Sequence, residues 1–556
     1  VNKKVCSFPI LFALLALLIG TCAVVFPASA QAAPTSTGSI TVSGTVARSY
    51  DAYQIFSANV VDGDSDAKIA TDLAWASDAV RDAALPVLHS AGMPNSQTTA
   101  REAAEWLNTD SHLTSALSAQ LARSLQSSGA VSVALNAGTT AELPCGYWLI
   151  VADDDAISQG EAGTAPIMAL VGGGAVTVKP KAATPKVSKH VLEDGTAAWQ
   201  KAADATVADD LYWRLSATVP AGLTAYDTYT VRFVDTMSAG LDPSKVAASM
   251  RVYAAAGADG GFDAVSTGKD GRAGTEPAKG WTDITAQCAT KVAADGKTFT
   301  VRTGDLIAAL GGADAFTAGA RVVAVYNAPL NSACNHGIAK GNPNEVYLRY
   351  PRSPFADQSG DAGFTRTPSD DACAYTWDLA LTKRGSDGDK PLAGAVLSIV
   401  DDRGRTLAAD GTWDAEGKAT VTTGEDGRVT VSGVDSGKLE VRELKAPKGY
   451  TAFEGTRSVT VKAEGLDVDQ VAAAKPKLTI TAESPLRADS ADGSTGSLEA
   501  SLINTPTGTP PSITTGGFMP STGDMAMYAA AAAAVAGAAL IMVALLVKRG
   551  GGSHKE

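Results

Sequence analysis

Trp377-Asp378-Leu379-Ala380-Leu381-Thr382-Lys383 is the stretch that decides the fold. In an extended strand, residues i, i+2 and i+4 point to one side, so Trp377, Leu379, Leu381 and Lys383 share a face. That face is apolar until its last position, where an amine stands in line with core residues. The alternation predicts a β-strand with one buried side. The lysine needs its own explanation, because a buried polar group is costly unless it has a partner.

Outward from this strand the same anomaly returns. Leu439, Val441 and Glu443 alternate onto one face, with Glu440 and Arg442 on the other. Leu498, Ala500, Leu502 and Asn504 form a third such row. Upstream the set repeats in the same chain order. Val187, Lys189 and Val191 alternate, then Val231, Phe233 and Asp235, then Asn344, Val346, Leu348 and Tyr350. Asn342 fits the phase of the last row as well, but lies in a Gly/Pro turn. A single polar residue of this kind is ordinarily a strand end or a lysine snorkelling to water. Two ordered sets of amine, acid and carboxamide are not explained that way. The chemistry that needs them is an intramolecular isopeptide bond. Burial lowers the amine pKa and raises that of the acid, so a neutral lysine can face a protonated carboxyl group. The acid polarises the amide carbonyl, the amine attacks, and ammonia leaves. Lys189, Asp235 and Asn344 form one candidate set; Lys383, Glu443 and Asn504 form the other.

The whole chain, at 556 residues, is long enough for three or four domains. Its formal net charge of −13 argues against nucleic acid or an anionic membrane surface as partner. Strand patterns punctuated by Gly, Asp and Pro predict a mainly β chain of tandem modules. The first domain carries helical insertions. Two helical stretches are expected, the second starting at Thr99 with the capping-box residue Glu102 and carrying Leu113, Leu117, Leu121 and Leu125 on one stripe. The boundaries read as follows: 31–178 first module, 179–184 linker, 185–354 second module, 355–374 linker, 375–506 third module and 507–518 spacer. Lys3-Lys4, the apolar run from Phe8 to Phe26 and Ala28-Ser29-Ala30 predict a secretory signal over 1–30. Of the cysteines outside it, Cys288 and Cys334 share one module and are candidates for a disulfide. No metal-ligand spacing, zincin or nucleophile-elbow pattern occurs, and Asp64-Ser65-Asp66 reads as a solvated turn. No metal, cofactor or enzymatic turnover is expected.

At the far end, Met519-Pro520-Ser521-Thr522-Gly523 precedes an uncharged run from Met525 to Val547, and Lys548-Arg549 follows. About 23 apolar residues suffice for a transmembrane helix. That order resembles the LPxTG cell-wall sorting signal of Gram-positive surface proteins, here over 519–556. The resemblance implies that a sortase cuts between Thr522 and Gly523 and passes the threonyl group to an amine. Val176-Thr177-Val178-Lys179-Pro180-Lys181 resembles the pilin motif of backbone pilins, with Lys179 where Tyr is usual. It implies that Lys181 is the amine of the next subunit. Glu443-Leu444-Lys445-Ala446-Pro447-Lys448-Gly449-Tyr450 resembles the E-box of collagen-adhesin B-type (Cna-B) domains. Leu392-Ala393-Gly394-Ala395 and Ile503-Asn504-Thr505 fit the same pattern. Pro185 to Lys189, Val234 to Met237 with Gly240-Leu241, and Gly341 to Asn344 resemble the isopeptide-forming D2 domain of fimbrial subunits.

Together these resemblances imply a SpaA/FimA-like major pilin, built of immunoglobulin-like and Cna-type sandwiches. Asp235 and Glu443 would promote isopeptide bonds from Lys189 to Asn344 and from Lys383 to Asn504. The expected partners are a pilin-polymerising sortase, other copies of the chain, minor pilins and cell-wall peptidoglycan. The chain would be secreted and displayed on a Gram-positive surface. A monomeric sortase-anchored adhesin built from the same modules is the alternative.

Overall fold

The computed structural model describes residues 36–508, except 45–47, 64–66, 110, 154–156, 158–159, 181–183, 355 and 357. The signal segment, the Asp64-Ser65-Asp66 turn, Lys181, and the sorting signal from Met519 through Thr522 and Gly523 with its apolar span lie outside the described residues. Those described are mainly β, in three modules that each bury their own core.

The first module pairs a three-stranded sheet (Thr140–Pro144, Thr37–Val42, Val176–Val178) with a five-stranded one centred on Ser49–Asp62 and Gly146–Ala152. Its insertion holds three helices where the sequence suggested two: α1 (Asp78–Ser90), α2 (Ala100–Asn108) and α3 (Ser115–Ser128). The Thr99–Glu102 capping box starts α2. The leucine stripe, however, belongs to α3, because the Thr114 hydroxyl accepts from the Leu117 N–H and opens a new helix there. Leu117, Leu121 and Leu125 are buried, while Leu113 stays in the connection between helices.

The second module is a two-sheet sandwich. One sheet runs Ala198–Gln200, Lys186–Glu193, Tyr212–Val219, Ala320–Asn327, Arg251–Ala256, Thr282–Asp283. The other runs Ala202–Asp204, Asp370–Tyr375, Asn342–Pro351, Arg232–Met237, Thr298–Arg302, Ala289–Val292, with Phe364–Arg366 added on Asn342–Pro351. Trp213, Leu215, Phe233, Phe299, Tyr326, Val346 and Leu348 fill the space between them. The linker expected over 355–374 is therefore corrected. Phe364–Arg366 and Asp370–Tyr375 complete the second sandwich, because the edge of Asn342–Pro351 away from Arg232–Met237 takes its backbone partners from them.

The third module is also a two-sheet sandwich. Arg428–Val434, Trp377–Gly385, Ser497–Pro506 and Tyr450–Thr451 form one sheet, with Leu486–Asp492 on the last long strand. Trp413–Asp414, Thr406–Leu407, Val396–Val400, Gly437–Lys445, Thr456–Glu464 and Lys477–Ala482 form the other, with Val421–Thr422 on Val396–Val400. The module's first and last strands lie side by side and parallel, with Lys383 opposite Leu502 and Gly385 opposite Asn504.

One residue, Thr376, separates the last strand of the second module from the first strand of the third. The joint is tied across. The Asp204 carboxylate accepts from Trp377 Nε1 at 2.7 Å, and from the N–H and hydroxyl of Ser436 at 2.9 and 2.6 Å. Arg403 and Arg405 of the third module both donate to Asp209 of the second.

Candidate functional site

Lys189 lies on Lys186–Glu193, Asp235 on Arg232–Met237 and Asn344 on Asn342–Pro351. The first strand belongs to one sheet and the other two are neighbours in the facing sheet, where Met237 pairs with Asn344. All three side chains are fully buried. The Lys189 ammonium group donates to Asp235 and, at 2.9 Å, to the Tyr326 hydroxyl. Tyr326 donates to Asp235 Oδ2 at 3.1 Å and accepts from Asn344 Nδ2 at 2.8 Å. The rings of Trp213 and Tyr326 wall the amine, with centroids 5.5 and 5.4 Å from Nζ. Phe299 meets Tyr326 edge to face at 4.8 Å. Burial pushes Lys189 down to about 8, against the opposing pull of Asp235. Burial also raises the Asp235 carboxyl, resisted by the nearby amine. Both shifts favour the neutral forms of the pair.

The structure separates the two asparagines that share one strand phase. Asn342 is a structural bracket. Its Oδ1 accepts from Asn335 N–H at 2.8 Å, and its Nδ2 donates to the carbonyls of Asn335 and Ala374. Asn344 reaches the amine cluster instead, through Tyr326. The backbone of Lys189 is held as well: its N–H donates to Asp370 Oδ2 at 2.7 Å, and its carbonyl accepts from Lys201.

In the third module Lys383, Glu443 and Asn504 also converge, with Glu443 and Asn504 at most 6 % exposed and Lys383 fully buried. Asn504 Nδ2 donates to both Glu443 oxygens, at 2.9 and 3.0 Å. Lys383 Nζ stands 3.5 Å from Glu443 Oε1 and donates to the Leu502 carbonyl at 3.3 Å. Glu443 Oε2 is further fixed by the Phe453 N–H. Burial pushes Lys383 down to about 8, and Glu443 opposes the shift.

Three buried oxygens in these clusters have no hydrogen-bond partner among the described residues: Asp235 Oδ1, Asn344 Oδ1 and Asn504 Oδ1. Each such group costs about 1–3 kcal/mol in an apolar core. A protonated carboxyl group is the donor whose addition would satisfy an orphaned carboxamide oxygen, and it would polarise the carbonyl in doing so.

The other predicted site residues fare differently. Cys288 and Cys334 are free thiols, which corrects the proposed pairing. Their sulfurs face different partners, Cys288 the Ile284 carbonyl at 3.3 Å and Cys334 the His336 Nε2 at 3.6 Å. Tyr326 went unnoticed in the sequence. Its only signal is a hydroxyl-bearing residue in phase with Val322 and Ala324, both buried.

Residues 378–475 match the SpaA prealbumin-like fold domain. The "Trypsin-resistant surface T6 protein" of Streptococcus pyogenes serotype M6 is 30% identical over 143 residues, 24% of this chain and 24% of that protein. The match thus spans about a quarter of the curated relative's length. Among solved structures, the T6 backbone pilin of the same serotype covers 86% of this chain and 100% of its own, at 17% identity and TM-score 0.46. The full-length major pilin SpaD from Corynebacterium diphtheriae covers 85% and 98%, at 15% identity and TM-score 0.41. The third module is thus similar over residues 378–475 to the SpaA prealbumin-like fold domain, and a stretch of 143 residues is similar to the streptococcal T6 surface protein.

Proposed function

We propose that this chain is the shaft-forming subunit of a covalently polymerised surface pilus, stiffened by two isopeptide bonds within each copy. The observation that carries the reading is the paired burial of Lys189 with Asp235 and Asn344, and of Lys383 with Glu443 and Asn504. In each bond the lysine Nζ attacks the asparagine Cγ, the acid holds the carbonyl oxygen, and Nδ2 leaves as ammonia. Prior alignment of this kind contributes roughly 7–11 kcal/mol towards the barrier. The reaction occurs once per bond and is maturation, not turnover. Between copies, a sortase would join Thr522 of one subunit to Lys181 of the next, and the last subunit to peptidoglycan. The similarity of a 143-residue stretch to the streptococcal T6 surface protein and of residues 378–475 to the SpaA prealbumin-like fold domain supports this reading.

Surface extracts boiled in detergent test the polymer. They should show a ladder rising in single-subunit steps, reduced to one band by Lys181→Ala. A ladder unchanged in that strain would sink the assignment of Lys181. Single copies alone in the parent would favour the wall-anchored adhesin.

A pH titration tests the third-module bond. In an Asn504→Ala chain Lys383 stays a free amine, with a folded-state pKa of about 8 against the ordinary 10.5. The folded form then binds fewer protons than the unfolded form between those values. Its stability should rise as pH climbs through that window and be lost as pH falls through it, by about 3 kcal/mol at most. The parent has an amide there and nothing to titrate. Denaturant midpoints at both ends of the window should therefore diverge between the two chains. An identical pH response would mean that Lys383 is free in the parent.

A further inference from the structure

We propose that Tyr326 is the proton relay of the second module's bond-forming site, carrying a proton from the attacking Lys189 nitrogen to the departing Asn344 nitrogen. The inference rests on the reading of Lys189, Asp235 and Asn344 as a bond-forming set. It begins from a difference between the two clusters. In the third module one carboxyl group spans both nitrogens: Glu443 hydrogen-bonds Asn504 Nδ2 with both oxygens and lies 3.5 Å from Lys383 Nζ. In the second module the acid is an aspartate, shorter by one methylene. Asp235 contacts Lys189 and makes no hydrogen bond to the Asn344 nitrogen. The gap is filled by the fully buried Tyr326 hydroxyl, 2.9 Å from Nζ, 2.8 Å from Nδ2 and 3.1 Å from Asp235 Oδ2.

The step balances without any added reactant. The Nζ lone pair forms the bond to Cγ while the carbonyl electron pair moves onto Oδ1. A proton on Asp235 Oδ1 would be shared with that oxygen, and both atoms otherwise lack partners. Nζ then gives one proton to the tyrosine oxygen as the tyrosine gives its own to Nδ2. The Cγ–Nδ2 bond breaks, the carbonyl reforms, and ammonia departs. The hydroxyl exchanges one proton for another and never becomes an anion. Burial holds its pKa well above the ordinary tyrosine value, which suits an exchange of this kind. An aspartate and a tyrosine thus do together what the longer glutamate does alone.

The test is the Tyr326→Phe full chain, secreted and followed from synthesis by intact mass and by peptide mapping of both cross-links. Phenylalanine keeps the ring against Lys189 and Phe299 and removes only the hydroxyl. The Lys189–Asn344 link should form about a hundredfold more slowly, while the Lys383–Asn504 link forms as in the parent and reports a folded chain. Adding Asp235→Glu to Tyr326→Phe should restore the link, since the longer acid reaches both nitrogens. Parent-like linkage in Tyr326→Phe would overturn the relay. So would a loss that Asp235→Glu leaves unrepaired, because the tyrosine would then only pack. A parent chain without any Lys189–Asn344 link would overturn the underlying reading and the relay with it.

Discussion

A Glu443→Ala chain is expected to melt about 10–20 °C below the parent in its third module, and to keep one ammonia, so that its mass lies only about 17 Da below that of its own unlinked sequence instead of about 34 Da. Without the acid, the Asn504 carbonyl is not polarised and the bond to Lys383 does not close. The loop between those residues is about 121 positions long, and cross-linking it removes about 5 kcal/mol of unfolded-state entropy. That is a large share of the 5–15 kcal/mol that holds an ordinary domain together. The substitution also strands Lys383, whose carboxylate partner stands 3.5 Å away in a fully buried site, so the loss in a calorimetric scan should reach the upper end of the range. Asn504→Ala removes the bond but keeps the acid, and should lie between parent and Glu443→Ala. Coincident melting of Glu443→Ala and parent, with both masses only about 17 Da below their own unlinked sequences, would show that no bond had been there to lose.

The second large effect is mechanical. Pulled between position 181 and position 522, the bonded chain carries load from Lys189 directly to Asn344, and from Lys383 directly to Asn504. Only the stretch between Asn344 and Lys383 can be drawn out of the two folded modules, a gain of about 13 nm at full extension. An Asp235→Ala chain leaves the second module unbridged, and its opening should add a step of about 50 nm, since some 155 residues are released. The corresponding step for Glu443→Ala is about 40 nm. Single-molecule force spectroscopy of the three chains checks this. A 50 nm step in the parent would mean that Lys189 and Asn344 are not joined.

Much of this was legible in the sequence because strand alternation is a strict period. Lys383, Glu443 and Asn504 each sit two residues beyond an apolar row, and the structure buries all three together. The same strictness left Asn342 and Asn344 indistinguishable, since residues i and i+2 always share a face. What separates them is Tyr326, from another strand of the facing sheet, and no local pattern announces that pairing. Nothing in the sequence sets Tyr326 apart from its buried strand neighbours Val322 and Ala324. The region before Trp377 misled for a different reason. The Gly, Asp, Ser and Pro around Phe364–Arg366 and Asp370–Tyr375 have the composition of a linker, yet a waiting sheet edge turns both segments into strands. The helices show the converse case: the leucine stripe gave the buried face of α3 but not its start, which one threonine hydroxyl sets.

Thr376 alone connects the second and third sandwiches, with Trp377 anchored on Asp204 beside it. Two bodies joined through one residue and tied across by a carboxylate should resist swivelling and tilt together as one lever. In a fibre of such units, bending would concentrate at other junctions, and the length of the inflexible segment would span two modules rather than one.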